Sequence, residues 1–120
     1  MNYEKNNIFA RILRKEIPAN VIYEDEYALA FHDVNPQAPI HVLVIPKGEY
    51  TSFYDFSEKA SVEEVNGFYK AAQKVIDILG LKEDGFRVLS NQGQNGGQEV
   101  PHYHLHIFGG RKLGRMIQPQ

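Results

Sequence analysis

The sequence predicts an α+β domain, a five-stranded antiparallel sheet carrying one long and one short helix. Three observations predict it. Residues 62–79 place an apolar side chain at every third or fourth position, the period of an amphipathic helix. Five shorter apolar or alternating segments lie between turn residues, as strands do. Short links join the first strand to the second and the fourth to the fifth, which favours antiparallel neighbours. The 120 residues suffice for one core and are read as a single domain, 1–120.

Residues 1–7 are polar and read as a loose N-terminus. Asn6 or Asn7 can cap a short helix from about Ile8 to Lys15, with Ile8, Ile12 and Leu13 on one face and Phe9 beside them. Pro18 closes it. Val21 to Glu24 reads as a strand, Asp25-Glu26 as a turn, and Tyr27 to Asp33 as the second strand of a hairpin. Alternation puts Tyr27, Leu29, Phe31 and Asp33 on one face and Ala28, Ala30 and His32 on the other. Pro36 and Pro39 stiffen the next loop. Ile40 to Ile45 is apolar on both faces apart from His41, as a covered central strand is. Lys47 to Phe56 reads as a connection.

The long helix follows. Ser61 and Glu64 have the spacing of a capping box, and Gly80 supplies a stop. Phe86 to Asn91 reads as the fourth strand and residues 102–108 as the fifth. One sheet face packs on the long helix; the other is left open or covered by a partner. Residues 111–120 form a tail without periodicity.

Composition narrows the function. A formal net charge of −2 carries no basic excess for wrapping nucleic acid or binding a membrane surface. Cysteine is absent, which excludes disulfides, thiolate catalysis and Cys-ligated zinc. No apolar run approaches the ~20 residues that span a bilayer, and no hydrophobic segment follows residues 1–5. A soluble cytoplasmic protein is expected.

Chemistry concentrates at Pro101 to Phe108. Three of the five histidines, His102, His104 and His106, stand at alternate positions and share one strand face. A polar, glycine-rich segment, Asn91 to Glu99, leads into them. Three readings stand side by side. Two of these histidines can hold zinc, with His41 or Glu99 completing the set. All three converge poorly, since His102 and His106 lie about 13 Å apart along a strand. Alternatively, neutral His104 is a nucleophile toward phosphorus, with glycine-loop N–H groups and Asn91, Gln98, Glu99, His102 and His106 as the available partners. The plain alternative is three satisfied histidines on a half-exposed strand.

The segment His102-Tyr103-His104-Leu105-His106-Ile107-Phe108 resembles the signature of the histidine triad (HIT) superfamily, His-x-His-x-His-x-x with apolar x. Further segments are similar to its Hint branch. They are Ile8-Phe9 with Glu16-Ile17-Pro18, then Phe31-His32-Asp33 through Pro36-Gln37-Ala38-Pro39-Ile40-His41, and Gly96-Gly97-Gln98-Glu99-Val100. The resemblance implies a HIT-like fold and a homodimer whose two sheets join. It implies hydrolysis of purine nucleoside 5′-phosphoramidates, such as adenosine monophosphoramidate or aminoacyl and lysyl adenylates, to a nucleoside monophosphate, with no metal or other cofactor. By that resemblance His104 is the nucleophile, the His102 carbonyl fixes its tautomer, and His41 supports His102. His106 and Asn91 meet the phosphate or leaving group, and Asp33 binds the ribose. Ile8, Phe9, Phe31, His32, Val34 and Leu43 line the base pocket, and Gly97, Gln98 and Glu99 border the phosphate. Dinucleoside polyphosphate hydrolysis and a nucleotide-binding regulatory role are the alternatives. Glu99 replaces the serine or threonine of many members, and Pro101 a frequent tyrosine. Glu99 and the tail therefore bear on the choice of leaving group.

Overall fold

The computed structural model describes residues 2–119; Met1 and Gln120, the outer ends of the expected loose N-terminus and tail, lie outside the described residues. In chain order the elements are α1 (Ile8–Leu13), β1 (Val21–Glu24), β2 (Ala28–His32), β3 (Ile40–Pro46), α2 (Phe53–Lys59), α3 (Val62–Leu79), β4 (Arg87–Leu89), the single turn α4 (Gly93–Gly96) and β5 (Leu105–Gly109). The strands form one antiparallel sheet in the order β1-β2-β3-β5-β4. β5 is thus inserted between β3 and β4, and His106 pairs with Leu43 on one side and Leu89 on the other.

The period-2 pattern sorts the sheet into two faces. Ala28, Ala30, Val42, Val44, Tyr103, Leu105 and Ile107 point to α2 and α3, where they bury Phe56, Phe68, Ala71, Ala72 and Val75. The helix face of α3 is built as the sequence pattern requires. Ser61 Oγ accepts from Glu64 N–H while a Glu64 carboxylate oxygen accepts from Ser61 N–H, and Gly80 ends the helix in the left-handed region at φ 68°.

Four expectations are corrected. The second sheet face is not left open. Phe9 of α1 packs with Leu29, Phe31, Leu43 and Ile45, and Ile12 and Leu13 extend that cover. Residues 2–7 are not loose: Asn7 is buried, its Oδ1 accepts from Ala10 N–H at 2.9 Å, and Tyr3 reaches across to His102. The connection after β3 contains α2, capped by Ser52, whose Oγ accepts from Asp55 N–H, while Asp55 accepts from Thr51 N–H. Finally, β5 begins only at Leu105. His102 to His104 keep the alternation of faces without the ladder.

The approach of Tyr27, just ahead of β2, to α3 needs a glycine. Gly67 is buried within α3, and a Cβ placed there would lie 2.3 Å from the Tyr27 ring. Gly67→Ala should therefore destabilise the fold by about 1–3 kcal/mol despite alanine's better helix propensity. A fall in the urea midpoint at unchanged slope is the expected observation; a rise would mean that the ring moves freely.

Candidate active site

The histidines gather where β3 and β5 lie side by side, and their hydrogen-bond partners assign each ring its tautomer. His104 Nδ1 lies 2.7 Å from the His102 carbonyl. A carbonyl only accepts, so Nδ1 carries the proton and Nε2 keeps its lone pair. His102 Nε2 lies 2.9 Å from the Pro46 carbonyl and donates to it, which leaves Nδ1 to accept from the Tyr3 hydroxyl at 2.6 Å. At His41 the logic runs the other way. Gln37 N–H donates to its Nδ1 at 3.1 Å, so Nε2 carries the proton and donates to His106 Nδ1 at 2.9 Å. His106 then presents its own Nε2–H as a donor. His41 Nε2 also stands 3.4 Å from Asp33 Oδ2.

His41 thus supports His106 rather than His102, because the register pairing Leu43 with His106 brings those two rings together across the β3–β5 ladder. His102 is held by Pro46 and Tyr3 instead.

A cleft of about 290 Å³ opens beside these rings. It is lined by Phe9, Asp33, Leu43, Asn91, Gly97, Glu99, His104 and His106, all singled out in the sequence. Asn35, Gln37 and Val100 also line it and were missed. Asn35 and Gln37 belong to the proline-stiffened loop that follows Asp33, and that adjacency was the available signal.

Other singled-out residues do not line the cleft. His102 is fully buried and His41 nearly so, both beneath it. Phe31 is buried behind Phe9, its ring centroid 5.6 Å away. The Gln98 amide donates to the Thr51 and Val100 carbonyls and so fastens the glycine-rich loop. Val34 is 89% exposed and Ile8 47% exposed, and neither they nor His32 line the cleft.

Burial sets the charge state of the rings. It pushes His102 and His106 down to about 4 and lowers His104 and His41 as well. At His106 the neighbouring His104 and His41 add to that effect. All four are neutral at pH 7, the state a nucleophilic imidazole requires. Asp33, His41 and His106 offer three ligand atoms within 4.8 Å of one another, a grouping able to hold a divalent cation. Binding one would break the hydrogen bond between His41 and His106.

The HIT domain family model matches residues 14–113. The chain belongs to the HIT domain family. An uncharacterized HIT-like protein of Azospirillum brasilense is 55% identical over 115 residues, covering 96% of this chain and 94% of that one. The purine nucleoside phosphoramidase of Escherichia coli is 41% identical over 114 residues, covering 94% of each. Among solved structures, a HIT family hydrolase from Clostridium thermocellum superposes with a TM-score of 0.86 at 37% identity, covering 96% of this chain and 99% of that one. This HIT domain therefore shares its five-stranded α+β fold with those relatives across almost its whole length. Among the described residues no helix is long and apolar enough to cross a membrane.

The neutral rings make stability depend on pH. An unfolded histidine titrates near 6.5, whereas folded His102 and His106 titrate near 4. Below pH 6.5 the unfolded chain takes up protons that the folded one refuses. Stability should be fully present above pH 6.5 and fall as pH drops from there to about 4, by on the order of 3 kcal/mol for buried His102 alone. Urea midpoints measured from pH 7.5 to 4 should show the loss starting above the carboxylate range. A flat profile down to pH 5 would contradict the neutral-ring assignment.

Proposed function

We propose that the protein hydrolyses purine nucleoside 5′-phosphoramidates to a nucleoside monophosphate through a nucleotidyl-His104 intermediate. The observation that carries this reading is the His104 ring. Its Nδ1–H is held by the His102 carbonyl, and the residue lines the cleft, so the unprotonated Nε2 is the atom free to attack. In this reading the lone pair attacks phosphorus, the P–N bond breaks, and the leaving nitrogen takes a proton from solvent and departs as the amine. Water then attacks the phospho-imidazole and gives a proton back to solvent, which releases the monophosphate and restores the ring. His106 Nε2–H and Asn91 donate to the phosphoryl oxygens, where negative charge develops. Asp33 accepts from the ribose hydroxyls, and Phe9 and Leu43 form the apolar wall for the base. The phosphoramidase of Escherichia coli, 41% identical, supports the choice of substrate.

The charge of the cleft favours an amine over a polyphosphate as leaving group. Two carboxylates, Asp33 and Glu99, line it, and no lysine or arginine does. A departing nucleoside polyphosphate would bring several negative charges against them without compensation. The decisive experiment compares kcat/KM for an adenosine phosphoramidate and a diadenosine polyphosphate. We expect the phosphoramidate to be preferred and His104→Ala to lose on the order of 10⁴-fold in turnover. Preference for the polyphosphate would reverse the assignment. AMP binding without turnover of either substrate would support a regulatory nucleotide-binding role instead.

The proposal includes a homodimer. β4 is a three-residue edge strand with Val88 exposed. Beside it lies an apolar cavity of about 490 Å³, lined by Phe53, Tyr69, Ala72, Ile76, Val88 and Leu105. A second copy pairing at this edge would extend the sheet and cover the cavity. Sedimentation equilibrium should return twice the 13.7 kDa chain mass, and a monomer at micromolar concentration would reject this part.

A further inference from the structure

The peptide that aims His104 is poorly supported by the sheet. β5 begins at Leu105, so the His102 carbonyl, which must stay 2.7 Å from His104 Nδ1, lies outside the strand ladder. That peptide is held instead through its own N–H, which belongs to Tyr103, and the next carbonyl is held as well. Tyr103 N–H donates to the Tyr50 carbonyl at 2.8 Å, and Ser90 Oγ–H donates to the His104 carbonyl at 3.2 Å. The His102 N–H donates to the Val100 carbonyl at 2.9 Å, and its ring is tied at both nitrogens. One tie goes to Pro46 at the end of β3 and the other to Tyr3 near the N-terminus.

We propose that Tyr3 is a positioning residue for the nucleophile, acting through the His102 ring. The proposal rests on the reading of His104 as the attacking group. Tyr3 lies outside the span matched by the family model, which begins at residue 14, and it does not line the cleft. Its hydroxyl is the partner of His102 Nδ1, and His102 is 0% exposed, so bulk water has no access to that lone pair. The Tyr3 ring stands edge-on to His102 with centroids 5.5 Å apart. Phe9, six residues on, stands edge-on to both His102 and His104. The N-terminal segment therefore frames the histidines from outside the sheet. Burial holds the Tyr3 hydroxyl above its ordinary range, so it remains a donor throughout the neutral range.

Removing the hydroxyl orphans a buried acceptor. The His102 ring can regain a partner for that nitrogen only by rotating. Rotation breaks the Nε2–H bond to Pro46 and shifts the residue whose carbonyl orients His104. A fraction of His104 rings then carries the proton on Nε2, where no lone pair is left to attack. Because Tyr3 touches no part of the cleft, the loss falls on kcat and not on KM.

The test uses full-length Tyr3→Phe, with Gly67→Ala as a destabilised control remote from the cleft, both studied well below their melting temperatures. Long-range 1H–15N spectra of the histidine rings, recorded without substrate, should show a single Nδ1–H tautomer at His104 in the unaltered protein and a mixture in Tyr3→Phe. With an adenosine phosphoramidate, kcat of Tyr3→Phe should fall about ten- to a hundredfold with KM within about twofold, while Gly67→Ala changes neither the spectrum nor kcat. Tyr3→Phe that keeps kcat within about twofold, or keeps the original His104 spectrum, overturns the proposal. If the unaltered protein cleaves no phosphoramidate, the functional reading falls, and the spectra alone decide whether Tyr3 sets the tautomer.

Discussion

A ring nitrogen shut away from water must find a partner, and meeting that demand for His102, His41 and the Nδ1 side of His104 organises much of this molecule. Each partner comes from a different place. Pro46 closes β3, Tyr3 precedes α1, Gln37 belongs to the proline-stiffened loop, and the His102 carbonyl lies just ahead of β5. No described buried side-chain nitrogen or oxygen is left unpartnered. The N-terminal segment, the loop before β3, the end of β3 and the stretch leading into β5 are thereby tied together, and the same bonds that satisfy burial also decide which nitrogen carries each proton.

Burial and hydrogen bonding act on the same groups with different results. Desolvation keeps all four rings neutral, and the partners then differentiate them. His104 is left with a lone pair at the cleft. His106 is left with an N–H donor, because His41 occupies its other nitrogen. His102 has no free nitrogen and acts through its main chain. A row of three identical residues thus becomes an acceptor, a donor and a support.

Local signals made much of the fold legible. The capping box at Ser61 and Glu64, the stop at Gly80 and the apolar run of β3 each declare themselves within a few residues, and the structure contains them where the sequence places them. α2 was missed because Phe53, Tyr54 and Phe56 show no helical stripe in so short a segment, although Ser52 and Asp55 did offer a capping signal. The alternation of faces through Tyr103, Leu105 and Ile107 was legible, whereas the late start of β5 was not, since pairing depends on neighbours far along the chain. Much of the cleft was foreshadowed by the triad and the residues around Asp33. Tyr3 carried no signal, because its partner is 99 residues away. The pairing of His41 with His106 likewise exists only once the register of β3 on β5 is set.

The strand order has a consequence for how the protein is made. β5 is the last strand in the chain, yet it lies inside the sheet, bonded on both sides. While the polypeptide emerges from the ribosome, β3 therefore keeps one edge bare and β4 has no sheet to join until residues 105–109 have appeared. Two groups already synthesised, the Pro46 carbonyl and the Tyr3 hydroxyl, wait for the His102 ring to meet them. Closing the sheet and assembling the histidine cluster are thus a single event, so a nascent chain cut short before β5 has neither a complete fold nor its reactive centre.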